Sequence, residues 1–130
     1  MRRVTLPILL LVAVAVAACG GSSTVSAEQL EKQRETVHSI AAEGALLAAD
    51  VERGRSTPPF AKIHSGDLSD LADRAAKALA NPAGPSLDAE RRREEARAVA
   101  VSDALAQLLA HPDDPGVAST VRRKLERLSG

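Results

Sequence analysis

Residues 27–53 read AEQLEKQRETVHSIAAEGALLAADVER, and this stretch decides the fold. Its apolar and small residues recur at spacings of three, four and seven, which places them on one face of an α-helix. These positions are Leu30, Val37, Ile40, Gly44, Leu47 and Val51. Ser26 followed by Gln29 is typical of a capping box at a helix start. The stretch therefore predicts a long first helix that ends near Arg53-Gly54, ahead of two prolines.

The segment that follows is predicted in two pieces. Thr57-Pro58 can open a short helical turn that carries Phe60, and Gly66 is expected to interrupt this turn. A proper second helix is then predicted over 67–80. Its expected inward face consists of Leu68, Leu71, Ala75 and Leu79.

Two more helices complete the expected domain. Ser86 is a candidate cap for a third helix that continues to about Ala110, and Asp114-Pro115 is a typical start for the last one. The expected inward residues are Ala98, Val101, Leu105, Leu108 and Leu109 in the third helix, and Val117, Val121, Leu125 and Leu128 in the fourth. Short connections between long helices favour antiparallel neighbours. The sequence therefore predicts an all-α domain over 27–130, a small antiparallel four-helix bundle.

The chain starts with a leader, MRRVTLPILLLVAVAVAAC, over residues 1–19. Two arginines precede an apolar run of about 15 residues, whereas a bilayer crossing needs about 20. The run is followed by Cys19 and a Gly/Ser-rich segment rather than by a basic stop sequence. These features are typical of a cleaved signal peptide.

The end of the leader, Val16-Ala17-Ala18-Cys19, resembles the lipobox of bacterial lipoprotein precursors. The resemblance implies that the Cys19 thiol receives a diacylglyceryl group and that signal peptidase II then cuts between Ala18 and Cys19. Acyl chains such as palmitate on Cys19 would hold the protein on the extracytoplasmic face of the cell membrane, at about 0.8 kcal/mol per buried CH₂. The alternative is an ordinary secretory signal with an incidental cysteine.

The expected organisation is thus a signal peptide over 1–18, a lipidated cysteine with a flexible tether over 19–26, and the bundle over 27–130. The chain has 17 basic and 17 acidic side chains, and two of the arginines lie in the leader. Cleavage would leave a charge close to −2, which does not favour binding to nucleic acid. Cys19 is the only cysteine, so no internal disulfide is expected.

No residue pattern in the chain points to catalysis or to a metal. None of His38, His64 and His111 has a partner at a recognised metal-ligand spacing. The adjacent acids Glu94-Glu95 do not share a helix face, as paired general acids and bases would require. We expect no enzyme activity, no catalytic residue, no metal ligand and no cofactor.

Five residues are candidates for contact with a ligand or partner: Phe60, His64, Arg91, Arg92 and Arg93. The arginine run could form a stripe for lipid headgroups or an acidic partner. It could also form exposed salt bridges with the acids that interleave with it. Phe60 could plug the end of the bundle or remain exposed as an anchor, and His64 could line a crevice.

The sequence favours a membrane-anchored, non-enzymatic helical lipoprotein that binds or positions another envelope component. The heptad-like face of the first helix is also compatible with self-association. The alternative function is a small-molecule or metal-binding lipoprotein with a pocket between helices, near Phe60 and His64.

Overall fold

The computed structural model describes residues 24–130. Its helices are α1 (Ala27–Glu52), α2 (Pro58–Leu79), α3 (Asp88–Ala110) and α4 (Pro115–Leu128). Within these residues α1 and α3 each contact every other helix, whereas α2 and α4 occupy opposite corners and do not meet. The predicted all-α fold, a small antiparallel four-helix bundle, is confirmed.

Both ends of α1 agree with the sequence prediction. The Ser26 hydroxyl accepts a hydrogen bond from the Gln29 N–H at 3.2 Å, and the Gln29 side-chain oxygen accepts one from the Ser26 N–H at 2.9 Å. The capping box is therefore formed. After the C-cap residue Arg53, Gly54 adopts a φ of 67°, in the left-handed region that favours glycine.

The folded domain begins earlier than predicted, because Val25 belongs to the core and not to a flexible tether. Its side chain is only 7% exposed, and its N–H donates a hydrogen bond to the Pro82 carbonyl at 2.9 Å. Val25 also forms a single parallel bridge with Ala83. The chain before α1 is thus fixed to the α2–α3 connection.

The two-piece prediction for the second helix is wrong, since α2 is continuous through Gly66. Its buried positions keep one phase on both sides of this glycine: Ala61, Ser65, Leu68, Ala72, Ala75 and Leu79. Packing of this stripe against α1 and α3 offsets the roughly 1 kcal/mol that a glycine costs inside a helix. Leu71 lies off the stripe and is 44% exposed, so its predicted inward position is also wrong.

The predicted start is wrong for α3 and confirmed for α4. Ser86 does not cap α3, because residues 84–87 form a turn in which the Gly84 carbonyl accepts hydrogen bonds from the N–H groups of Leu87 and Asp88. At the start of α4 the prediction is confirmed. The Asp114 carboxylate accepts hydrogen bonds from the Gly116 N–H at 2.9 Å and the Val117 N–H at 3.1 Å, and Pro115 is the first helical residue.

Leucine, valine and alanine side chains fill the core, which closes around Gly44. A Cβ atom built on Gly44 would lie 2.8 Å from Leu105 Cδ2 and 2.9 Å from Leu125 Cδ1. Both leucines are fully buried. The missing side chain of Gly44 therefore lets α1 approach α3 and α4 closely.

Candidate interaction site

The predicted signal peptide, Ala18 and Cys19 lie outside the described residues. The position of Val25 nevertheless shows where the preceding chain joins the bundle. This attachment point lies at the start of α1, beside the Pro82–Ala83 backbone. We call this part of the bundle the tether end. Among residues 24–130, no helix has both the length and the apolar character needed to span a bilayer.

Arg91 is buried inside the bundle and is not part of a surface stripe. It is 8% exposed and donates hydrogen bonds to the Leu79 carbonyl at 2.6 Å, to Asp88 at 2.9 Å and to Glu95 at 2.7 Å. The Leu79 carbonyl is one of those left without an intrahelical partner at the end of α2. Arg91 therefore joins the start of α3 to the end of α2 and is not available to a ligand.

Arg92 and Arg93 face different surroundings from Arg91. The Arg92 side chain is exposed and donates to the Asp88 carboxylate from Nε at 2.8 Å and from Nη2 at 2.5 Å. Arg93 is exposed and forms no ion pair within residues 24–130. Successive helical residues point about 100° apart, so three in a row do not share a face. The arginine stripe for an anionic ligand is not assembled.

Asp88 gives a testable dependence of stability on pH. Hydrogen bonds from Arg91 first and Arg92 second lower the pKa of Asp88 from 3.8 to about 2. A carboxyl group with a lowered pKa in the folded state stabilises the fold fully above its unfolded pKa and loses this contribution as the pH falls towards the folded pKa. We expect the urea midpoint of wild type to fall between about pH 4 and pH 2 more steeply than that of Asp88→Asn.

The matched control for this measurement is Asp103→Asn, which changes an exposed α3 carboxylate that has no ion pair in the described chain. Its acid profile should follow that of wild type. Parallel profiles for wild type and Asp88→Asn would show that the Asp88 contacts do not stabilise the fold.

Phe60 is not the predicted plug at the end of the bundle. It is 57% exposed, because the neighbouring Ala61 occupies the buried phase of α2. Its ring stacks on His64, with centroids 5.4 Å apart and an interplanar angle of 22°. His64 Nε2 lies 2.9 Å from Glu43 Oε1, so the pair links α2 to α1 at the surface.

Three large apolar side chains are exposed near the α1–α2 connection: Leu46, Phe60 and Ile63, at 70%, 57% and 67%. Leu46 lies one turn beyond Glu43, and Phe60 lies one turn before His64. Because Glu43 and His64 are in contact and the helices are antiparallel, Leu46 and Phe60 reach a similar level on the bundle. Phe60 and Ile63 lie on α2, whereas Leu46 borders a depression between α1 and α4. We call these three residues, which share one end of the bundle, the distal apolar patch.

The distal apolar patch lies far from the tether end. A helix rises about 1.5 Å per residue, so about 30 Å separates Val25 from Leu46 along α1. The patch is not apparent from the sequence, because Leu46 adjoins the buried Leu47 and the two leucines differ only in the side of α1 to which they project.

A charged cluster between α1 and α3 was also missed by the sequence analysis. Glu94 is buried, with Arg34 Nε at 3.9 Å and Arg97 Nε at 3.7 Å. Arg34 also binds Glu90, and Arg97 contacts His38. Arg34 of α1 and Arg97 of α3 both approach this buried carboxylate, so the cluster links α1 to α3.

Residues 24–130 contain no group of three or more His, Cys, Asp or Glu side chains that could hold a metal ion. Four surface depressions of this part of the chain are lined by residues other than Phe60 and His64. The small-molecule alternative therefore gains no support from the geometry at these two side chains.

No protein-family model, curated protein or solved structure matches the chain.

Proposed function

We propose that the chain is the precursor of a membrane-anchored, non-enzymatic helical lipoprotein that binds or positions another envelope component. The observation that carries the proposal is the distal apolar patch, which lies at the opposite end of α1 from the attachment of the leader. An anchor at one end and a docking surface at the other suit a protein that holds a partner at a fixed height above a membrane.

The short tether supports this arrangement. Thr24 follows Cys19 by five residues, which span at most about 18 Å when fully extended. Acyl chains on Cys19 would therefore keep the tether end close to the lipid headgroups. The distal apolar patch would lie up to about 30 Å further from the membrane, where a partner can reach it.

The composition of the patch supports docking of a protein partner. Large exposed apolar side chains at one end of a folded domain are typical of an interaction site. Full burial of one large apolar side chain contributes about 1.5–3 kcal/mol. Burial of Phe60 and Ile63, which both lie on the first turns of α2, would supply the apolar centre of a specific interface.

Site-specific photo-cross-linking in cells that make the protein tests the proposal. A photoreactive amino acid is placed at Ile63 in the patch or, as the control, at Arg123, an exposed α4 position. We expect an envelope protein to be captured from position 63, not from position 123, and to be lost when Cys19→Ala is added. Equal capture from both positions, or none from either, would contradict the proposal.

A further inference from the structure

A groove runs between α1 and α2, next to the distal apolar patch. Its floor is apolar, with Ile40 and Leu68 almost fully buried and Leu71 partly exposed. The depression has a volume of about 370 Å³, and Glu35 and Glu43 form part of its α1 wall. We call it the α1–α2 groove.

The rim of the α1–α2 groove is acidic. Glu35 and Glu43 lie on the α1 side, and Asp67 and Asp70 line an adjoining depression that shares Leu71 with the groove. Glu43 contacts His64. The other three carboxylates form no hydrogen bond or ion pair within the part of the chain that the structure describes.

Cationic side chains do not balance this rim. Among the described residues, Arg74 is the only basic residue that lines either depression, and it lies at the end of the adjoining one away from the distal apolar patch. His64 lines neither depression and contacts only Glu43 of the rim. The groove therefore combines an apolar floor with an excess of negative charge. A partner that fits it needs apolar side chains bordered by positive charge.

We propose that the α1–α2 groove binds an amphipathic helix whose apolar face is bordered by lysine or arginine. This inference rests on the proposed function and assigns a chemistry to the partner. Phe60 and Leu71 are eleven residues apart and share a face of α2, with His64 and Asp67 between them, so the groove and the distal apolar patch lie along the same side of α2. An apolar groove with a charged rim is a common receptor for such a helix.

The length of the surface sets the size of the partner helix. From Phe60 to Arg74, α2 rises about 21 Å, which corresponds to about four helical turns. A helix of roughly 15 residues with apolar side chains every three or four positions would cover this distance.

The charge of the rim also argues against two other occupants. A second copy of the chain, docked through the same groove, would bring two acidic rims together. Anionic lipid headgroups would face the same four carboxylates, and like charges at short range repel. A basic helix is the occupant that these charges favour.

A defined peptide tests the inference. The probe is a fluorescein-labelled, 18-residue amphipathic peptide of leucine and lysine, and the control peptide carries glutamate in place of each lysine. The protein is the mature chain with Cys19→Ser, which keeps every described residue and needs no detergent. Fluorescence anisotropy should show saturable binding of the lysine peptide and none of the glutamate peptide.

Two charge-reversal variants locate the binding. Asp67→Lys with Asp70→Lys changes the groove rim, and Asp103→Lys with Asp113→Lys makes the same charge change at exposed carboxylates elsewhere on the bundle. We expect the rim variant to raise the Kd at least tenfold and the control variant to change it less than twofold. Circular dichroism of both variants verifies that the helices remain.

Three results would overturn the inference: equal effects of the two variants, equal binding of the two peptides, or a dimer of the protein alone that the rim variant disrupts. The last result would assign the groove to a second copy. Because the assay uses Cys19→Ser protein, its outcome does not depend on the lipid anchor. If the lysine peptide did not bind but wild-type protein were still lipidated on Cys19, this inference would fail and the anchoring proposal would stand.

Discussion

Gly44→Leu is expected to lower the free energy of unfolding by about 2–3 kcal/mol, the largest stability change proposed for this bundle. Even a Cβ at position 44 would lie under 3.0 Å from the side chains of Leu105 and Leu125, and a leucine adds three more carbon atoms. Extra methylene groups in a packed core force side chains off their rotamers or shift the backbone. The helix-propensity gain over glycine, roughly 0.8 kcal/mol, offsets only part of this cost.

Thermal unfolding followed by circular dichroism measures the effect. For a domain of this size, each 1 kcal/mol corresponds to about 4–8 °C in Tm, so we expect a decrease of about 10–20 °C. The matched control is Gly66→Ala, because a Cβ there meets only Leu109 Cδ1, at an ordinary contact distance of 3.7 Å. This control should stabilise α2 by about 0.5–1 kcal/mol. An unchanged Tm for Gly44→Leu would contradict the packing of α1 against α3 and α4.

Cys19→Ala is expected to move the protein from the membrane fraction to the soluble fraction. The lipobox resemblance makes the Cys19 thiol the only attachment point for acyl chains, and alanine has no nucleophile to replace it. Two acyl chains are enough for stable anchoring, so their loss should abolish membrane retention. No helix of residues 24–130 offers a membrane span in their place.

Ser22→Ala is the matched control, because it changes a nearby small residue and leaves Val16-Ala17-Ala18-Cys19 intact. We expect this variant to remain in the membrane fraction and to resist extraction by high salt, while detergent releases it. If Cys19→Ala fractionated in the same way as Ser22→Ala, the protein would be held by something other than lipid on Cys19.

The prediction from sequence succeeded where local signals decide the structure. Ser26 and Gln29 specify the start of α1, and Asp114 with Pro115 specifies the start of α4, because each satisfies free backbone N–H groups with neighbouring residues. The apolar spacing in 27–53 was sufficient to identify the buried face of α1. Such features depend on residues a few positions apart.

The prediction failed where distant packing decides the structure. Gly66 was expected to break a helix, yet the buried stripe of α2 continues through it. This outcome depends on packing against α1 and α3, which a local pattern does not contain. Ser86 was expected to cap α3, but a local turn, in which the Gly84 carbonyl accepts hydrogen bonds from the Leu87 and Asp88 N–H groups, places the helix start at Asp88.

The candidate contact residues show the same limit. Arg91 was grouped with Arg92 and Arg93 because they adjoin in sequence, but only Arg91 reaches the end of α2 and becomes buried. The sequence left two possibilities for Phe60, a plug at the end of the bundle or an exposed anchor, and the structure shows it exposed because the small Ala61 occupies the buried phase. Hydrophobicity indicates which residues can be buried, and helical phase determines which ones are.

The groove rim could not be assembled from the sequence either. Glu35 and Asp70 are 35 positions apart, and only the antiparallel pairing of α1 with α2 brings their sides of the bundle together. Asp70 and Arg74 are four residues apart on α2, a spacing that allows an ion pair, but they form none within residues 24–130. The Asp70 carboxylate is instead part of the acidic rim.

Mass spectrometry of the N-terminal peptide, from mature protein extracted from membranes, measures whether Cys19 is lipidated. We expect a peptide that begins at Cys19 and carries the added mass of a diacylglyceryl group, with or without a further acyl chain on the amino group. A peptide that begins at Cys19 with a free thiol, or a mature protein that retains residues 1–18, would contradict it.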